Sequence, residues 1–327
     1  MVFHKVADDG SVHPQKLFPE IDENMTSYTY RCPNGTLFAT QFTQPALTLM
    51  EKAHYEDLKS KGLIRKNSSF AGHSLGEYGA LSTVGNVLSV ENLMSIVFFR
   101  GLTMQVVVDF DIEGRSNYSM VAVNPSKVSE TFDEHTLKYV VGVIAKETEW
   151  LLEIVNYNIS NMQYVCAGEL SALDCLASVV DSIKGENIDI RKLIQTHGSE
   201  KVTFQLIQIV QKFARETAEK PKPLELKRGV ATIPLAGVAV PFHSSFLRSG
   251  VKSYRKFLKE RISSAAIDPE DLVGKWIPNI TGKPFGISKK DFEEVYKLTE
   301  SAVLADILAN WDSYDLPEDD ILATGDA

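Results

Sequence analysis

Apolar residues in the first 44 positions come in short runs broken by turn signals. Asp8-Asp9-Gly10 is one such turn. Pro33-Asn34-Gly35 is another, set between Tyr28-Thr29-Tyr30 and Leu37-Phe38-Ala39. Both predict hairpin-like excursions, and no opening strand of a core is visible among them. The period then lengthens. Thr43 and Pro45 predict a helix start, and ALTLMEKAHYEDLKSKG keeps a helical spacing through Leu47, Met50, Ala53 and Leu58 until Gly62 stops it. A short apolar strand, Phe70-Ala71, runs into a glycine-rich turn, after which Leu75, Tyr78 and Leu81 begin a second helix. A third is predicted from Ser89, with Glu91 in its first turn and Leu93, Ile96, Val97 and Met104 on its core face.

From about Asn117 the pattern changes again. SMVAVNP predicts a strand, Lys127 to Thr148 a helix, and WLLEIVNYN and MQYVCAG two strands. LSALDCLASVVDSIKG predicts a helix, and TIPLAGVAVPFH a last strand after an extra polar helical segment around 198–218. The order β-α-β-β-α-β is that of a split βαβ, ferredoxin-like unit, set within a larger α/β core. The expected organisation is a first core part over 1–115, the sub-domain over 116–241, and a return to the core over 242–327. That return holds a helix from Phe246 to Lys259, a strand from Trp276 to Ile280, terminal helices and an acidic linker.

Composition narrows the class of partner. The chain has 327 residues with 34 Lys and Arg against 43 Asp and Glu, a net charge of −9. An acidic surface disfavours nucleic acid, whose phosphates need clustered cations. No apolar run approaches the roughly 18 residues of a membrane span, and no signal peptide is visible. Three cysteines without CxxC spacing (Cys32, Cys166 and Cys175) argue against a disulfide framework or a metal site, so a cytoplasmic setting is expected and no bound cofactor or metal.

The candidate chemistry sits in AGHSLGEYGA, residues 71–80. Gly72-His73-Ser74-Leu75-Gly76, after a strand and before a helix, has the form of a nucleophile elbow. Small neighbours let the serine Oγ project from a tight turn, and the amides of the helix N-terminus face a developing oxyanion. Ser74 reads as the nucleophile and needs a base. His4, His13, His54, His135 and His197 lie in polar or helical surroundings and read as surface residues. His73, inside the elbow, reads as a packed support. His243 ends an apolar run just after Pro241 and is either the base or an ordinary loop histidine. Arg100 falls on the apolar face of its helix, where it either clamps a carboxylate or pairs with a structural acid.

FTQPAL, AGHSLGEYGAL, FFRGLTMQ, VNYNISNMQYVCAG, VPFHSSFL and PNITGKPF, in this order, resemble malonyl/acyl-CoA:acyl-carrier-protein transacylases. The run from about residue 25 to 310 is most similar to the malonyl/palmitoyl transferase domain of fungal fatty acid synthase β subunits. The resemblance implies an α/β-hydrolase-like core with a ferredoxin-like insertion. It also implies ping-pong acyl transfer between malonyl-CoA or a long-chain acyl-CoA and the phosphopantetheine thiol of an acyl carrier protein, alongside other synthase domains. It makes His243 the catalytic histidine, Leu75 an oxyanion amide and Arg100 the ligand of the malonyl carboxylate. Gln163 and Asn158 match polar positions of the site. A backbone carbonyl near Asn279 is implied to hold the second imidazole nitrogen, giving a dyad. Met104, Met120, Phe242 and Phe246 suit a pocket that also admits a fatty chain.

The family's domain opens on a strand and a GQGSQ-like loop that completes the oxyanion hole. These residues contain no such motif, and the first 44 resemble the middle of the fungal domain instead. Two alternatives therefore stand beside the transferase: a catalytically impaired or structural piece of the synthase, and a serine thioesterase on the same elbow.

Overall fold

The computed structural model describes residues 2–6, 12–16, 22, 24–27, 35–84, 88–262 and 267–312. In chain order the elements are β1 (Val2–Val6), β2 (Val12–Lys16), α1 (Thr40–Ser60), β3 (Phe70–Ala71), α2 (Leu75–Val84), α3 (Val90–Val106) and β4 (Tyr118–Val123). There follow α4 (Glu134–Thr148), β5 (Leu152–Ile159), β6 (Gln163–Glu169), α5 (Leu170–Gly185), α6 (Ile190–His197), α7 (Ser199–Glu219) and β7 (Thr232–Pro234). The last are α8 (Arg248–Arg261), β8 (Trp276–Ile277), α9 (Lys289–Thr299) and α10 (Ala302–Ala309). The mixture of helices and strands is the α/β class expected. Two compact units result: Met1–Phe38 with Met104–Val251, and Ala39–Thr103 with Lys252–Ala327.

The first unit contains the predicted 116–241 segment. Its sheet has the order β5-β6-β4-β7 with every pairing antiparallel, the split-βαβ arrangement read from the sequence. Alternation along the strands gives it two apolar faces. Val121, Val123, Tyr164 and Cys166 face Leu137, Val140 and Ile144 of α4, Leu173 and Leu176 of α5, and Leu206 and Val210 of α7 in one continuous core. On the other face Met120, Val165 and Ala167 are covered by Leu235, Val238 and Phe242. Burial pushes the thiols of Cys166 and Cys175 up to about 12, which makes both inert as nucleophiles.

Several sequence expectations are corrected here. The helix predicted from Lys127 starts at Glu134, because Asn124 and Asp133 each cap a separate turn, accepting from Ser126 N–H at 3.1 Å and Thr136 N–H at 3.0 Å. The last strand stops at Pro234. Leu235 still donates to the Met120 carbonyl at 3.0 Å, but Gly237 then adopts a φ of +75° and the chain folds across the sheet. Leu37 and Phe38 lie in a 3-10 turn, Thr36–Phe38, instead of a strand. Their predicted partner run, 28–30, and the acidic linker, 315–327, fall outside the described residues. The first hairpin forms, with Val6 opposite Val12.

In the second unit β3 and β8 pair in parallel, Phe70 with Trp276 and Ala71 with Ile277, and α1 and α2 pack beside them. Leu93, Ile96 and Val97 of α3 are fully buried against Tyr254, Phe257 and Leu258 of α8, with Phe99 stacked on Phe257 at 4.1 Å. Among the described residues no helix is long and apolar enough to cross a membrane, and no cluster of His, Cys, Asp and Glu is placed to hold a metal.

Candidate active site

Ser74 lies between the end of β3 and the start of α2 with a φ of +53°, in the left-handed region that costs a non-glycine residue free energy. Six non-glycine residues take positive φ among the described ones: Ser74, Glu149, Asn161, Asn187, His243 and Glu300. Glu149 and Glu300 cap the ends of α4 and α9, and Asn161 turns the β5–β6 hairpin. Asn187 follows the cap of α5, and asparagine tolerates this conformation. Ser74 and His243 have no such local reason. They are the two residues that the sequence marked as nucleophile and base.

The two glycines of the elbow are not equivalent. A Cβ on Gly72 would lie 2.1 Å from the carbonyl carbon and oxygen of Gly76, whereas a Cβ on Gly76 would meet nothing within 4 Å. The turn therefore requires glycine at 72 alone, which corrects the symmetric reading of the motif. Gly72→Ala is expected to abolish labelling of Ser74. Gly76→Ala, in the first turn of α2, is expected to keep it and to raise Tm slightly, since alanine is favoured over glycine in a helix by up to about 1 kcal/mol. Acyl-enzyme yield and thermal unfolding of the pair check this asymmetry.

His73 is exposed instead of packed, because the contact between Gly72 and Gly76 fills the inner side of the turn; its carbonyl accepts from Gly76 N–H at 3.0 Å. Leu75 opens α2, so its amide is one of the helix N-terminal donors that have no intrahelical acceptor. Asn279 touches the elbow through its side chain. Its Oδ1 accepts from Ser74 N–H at 2.6 Å and its Nδ2 donates to the Gly72 carbonyl at 2.5 Å.

Arg100 is 9% exposed on the inner face of α3. One guanidinium nitrogen, Nη2, donates to Ser74 Oγ at 2.9 Å and the other, Nη1, to Gln44 Oε1 at 2.8 Å. The Tyr78 ring lies 5.4 Å from the guanidinium carbon, a cation–π contact. Gln44 is in turn held by its Nε2 donating to Thr40 Oγ1 at 2.9 Å, which aims its carbonyl oxygen at Arg100. Gly101 permits this approach, because a Cβ there would lie 2.5 Å from the Thr40 carbonyl oxygen. Among the described residues no carboxylate forms an ion pair with Arg100. Glu77 feels its charge from farther away, and burial still pushes the Glu77 carboxyl up despite the Asn279 N–H and Arg100.

Gln44 escaped the sequence reading, and so did the orientation of α1. The helix starts at Thr40, three residues early, with Pro45 inside it, and its buried residues are Thr40, Gln41, Gln44 and Thr48. Leu47, Met50 and Leu58, which carry the helical spacing in the sequence, are 42%, 50% and 41% exposed. A buried guanidinium needs acceptors, and the polar stripe at 40, 44 and 48 supplies one. That i, i+4 ladder was the available signal.

His243, Gln163 and Asn158 belong to the first unit. His243, with φ +64°, follows the Leu235–Phe242 segment, which Ser119 Oγ and Ser116 Oγ pin by donating to the Val238 and Ala239 carbonyls at 2.9 and 2.5 Å. On its other side Ser244 Oγ donates to the Pro241 carbonyl at 2.7 Å, and Ser245 N–H donates to the Glu153 carboxylate at 2.9 Å. The histidine is exposed on a fastened loop. Gln163 and Asn158 are exposed near the tip of the β5–β6 hairpin. Met120 and Phe242 share one apolar cluster, while Phe246 packs its ring on Tyr118 at 4.7 Å.

A serine on a strand–turn–helix elbow, beside a buried cation and ahead of a helix N-terminus, is an arrangement suited to acyl-serine chemistry. The chain belongs to the acyl transferase domain family, whose pattern matches residues 14–303. It is 50% identical over 315 residues, 96% of this chain, to fatty acid synthase subunit beta of Saccharomyces cerevisiae. It is 51% identical over 315 residues to fatty acid synthase beta subunit TOXC of Cochliobolus carbonum, and 49% identical over 318 residues to the subunit beta of Schizosaccharomyces pombe. In each case the chain spans about 15% of the relative's length.

Proposed function

We propose that this chain is the malonyl-transferring module of a fungal-type fatty acid synthase, moving malonyl groups from CoA to the phosphopantetheine thiol of an acyl carrier protein. The observation that carries this is Arg100, a buried cation within hydrogen-bonding distance of the nucleophile and without an ion-pair partner among the described residues. Leaving a charge so buried is costly unless a ligand completes it. A guanidinium matches a carboxylate bidentately, so the acyl group it selects carries a free carboxylate close to the carbonyl under attack.

In the reaction His243 removes the Ser74 Oγ proton as Oγ attacks the thioester carbonyl carbon. The Leu75 amide donates to the oxyanion. Collapse breaks the C–S bond, and the proton passes from His243 to the departing CoA sulfur, leaving malonyl-Ser74. The carrier thiol then gives its proton to His243 and attacks the ester, and Ser74 regains a proton as the C–O bond breaks. The resemblance adds Gln163 and Asn158 as polar residues of the site. Transfer of long-chain acyl groups is part of the same reading and is supported by the resemblance. The other domains of the synthase are its partners, and its setting is the cytoplasm.

The experiment is a transfer assay with malonyl-CoA and pantetheine or carrier protein as acceptor, run beside the same mixture without acceptor. Malonyl-thioester formation that outruns hydrolysis supports the transferase. Hydrolysis unaffected by the thiol makes the chain a thioesterase, and no turnover from folded protein makes it a structural piece.

A further inference from the structure

We propose that Asn279 is a positioning residue for Ser74, and that Glu77 holds it in place. This rests on the acyl-transfer reading above. Strands β3 and β8 run parallel, so the loops leaving Ala71 and Ile277 emerge at the same edge of the sheet and bring Ser74 and Asn279 together although they are 205 residues apart in sequence. Backbone pairing ends there. Phe70 N–H still donates to the Lys275 carbonyl at 2.6 Å, but past Ile277 the Asn279 side chain takes over. Its carboxamide accepts from Ser74 N–H at 2.6 Å and donates to the Gly72 carbonyl at 2.5 Å, offering the elbow the one acceptor and one donor that a neighbouring strand's peptide groups would have given.

These two bonds bracket His73 and fix the groups on either side of the turn that carries Ser74 into the left-handed region. A conformation that costs free energy persists only where its surroundings over-determine it. The carboxamide is itself registered by Asn279 N–H, which donates to Glu77 Oε1 at 2.8 Å. Glu77 stands in the first turn of α2, three residues after the nucleophile. The elbow, Asn279 and Glu77 thus form a closed ring of hydrogen bonds, and the direction of Ser74 Oγ depends on it. Asn279 is exposed, so truncating it removes little packing.

Only a carboxamide has both a donor and an acceptor in this plane. Aspartate keeps the acceptor but sets a second oxygen against the Gly72 carbonyl. The test is single-turnover malonylation of Ser74 in wild type, Asn279→Ala and Asn279→Asp, with KM for malonyl-CoA and Tm measured alongside. Labelling of Ser74 by a fluorophosphonate provides a second readout, because it needs an oriented serine but no acyl-CoA. Both variants are expected to lose about 10²-fold in the acylation rate and in probe labelling, the scale of a small misplacement of a reacting group. KM should stay within about twofold, since Arg100 is untouched. Rates near wild type in either variant overturn the proposal, and so does a loss in rate matched by an equal rise in KM. If Asn279→Ala does not fold, Glu77 decides: Glu77→Ala should be slow and Glu77→Gln, which keeps the acceptor oxygen, should recover most of the rate. Equal rates for those two overturn it. A wild type that reacts with the fluorophosphonate but not with malonyl-CoA sinks the acyl-transfer reading and leaves the clamp standing.

Discussion

Ser74→Ala is expected to leave the chain folded and without any acyl-enzyme. Removing one oxygen from a half-buried turn costs little packing; only the left-handed φ of +53° remains to be accommodated, as it is for serine. The chemical loss is expected to be total because, among the described residues, no other nucleophile is poised to substitute. Cys166 and Cys175 are buried and their thiols are pushed up to about 12, so neither supplies thiolate near neutrality. A loss in turnover of about 10⁶-fold is the scale of deleting a member of a serine–histidine pair. Peptide mapping after exposure to malonyl-CoA checks it. Labelling that persists at another residue would overturn the assignment.

Arg100→Ala should separate substrates by their charge. Malonyl loading is expected to fall by roughly 10²-fold or more, about 3 kcal/mol for two hydrogen bonds to a charged group. Acyl groups without a carboxylate lose nothing by it and gain room, so palmitoyl loading should stay within a few-fold or rise. Arg100→Lys should sit between, because an ammonium is a point charge that cannot span Gln44 and a carboxylate as the planar fork does. Arg100→Met keeps the buried stem and controls for lost packing. The ratio of malonyl to palmitoyl acylation rates across the three variants is the measurement, and an equal fall for both acyl groups makes Arg100 structural.

Much of the site was legible because residue type and turn geometry coincide there. Gly72 to Gly76 compress a strand end, a serine and a helix start into five residues, and a turn that tight leaves few alternatives. The buried stripe of α3 was equally plain, since Leu93, Ile96 and Val97 recur at helical spacing and carry Arg100 with them. What could not be read needed three-dimensional pairing. Asn279 reaches the elbow because β3 and β8 are parallel neighbours, and no period in the sequence places residue 279 beside residue 74. Gln44 was hidden by the ordinary assumption that apolar residues face inward. A buried guanidinium inverts that assumption for α1 and turns Thr40, Gln44 and Thr48 towards the interior. The order of the split βαβ unit was recoverable from alternation alone, whereas the end of its last strand was set by Pro234 and Gly237, two residues that a run of apolar neighbours obscured.

The most direct measurement is the intact mass of the wild-type chain after mixing with malonyl-CoA, followed by peptide mapping and a chase with pantetheine. One malonyl group on Ser74 that the thiol then removes is the predicted result. Folded protein that stays unlabelled, or a malonyl group at any other residue, would contradict it.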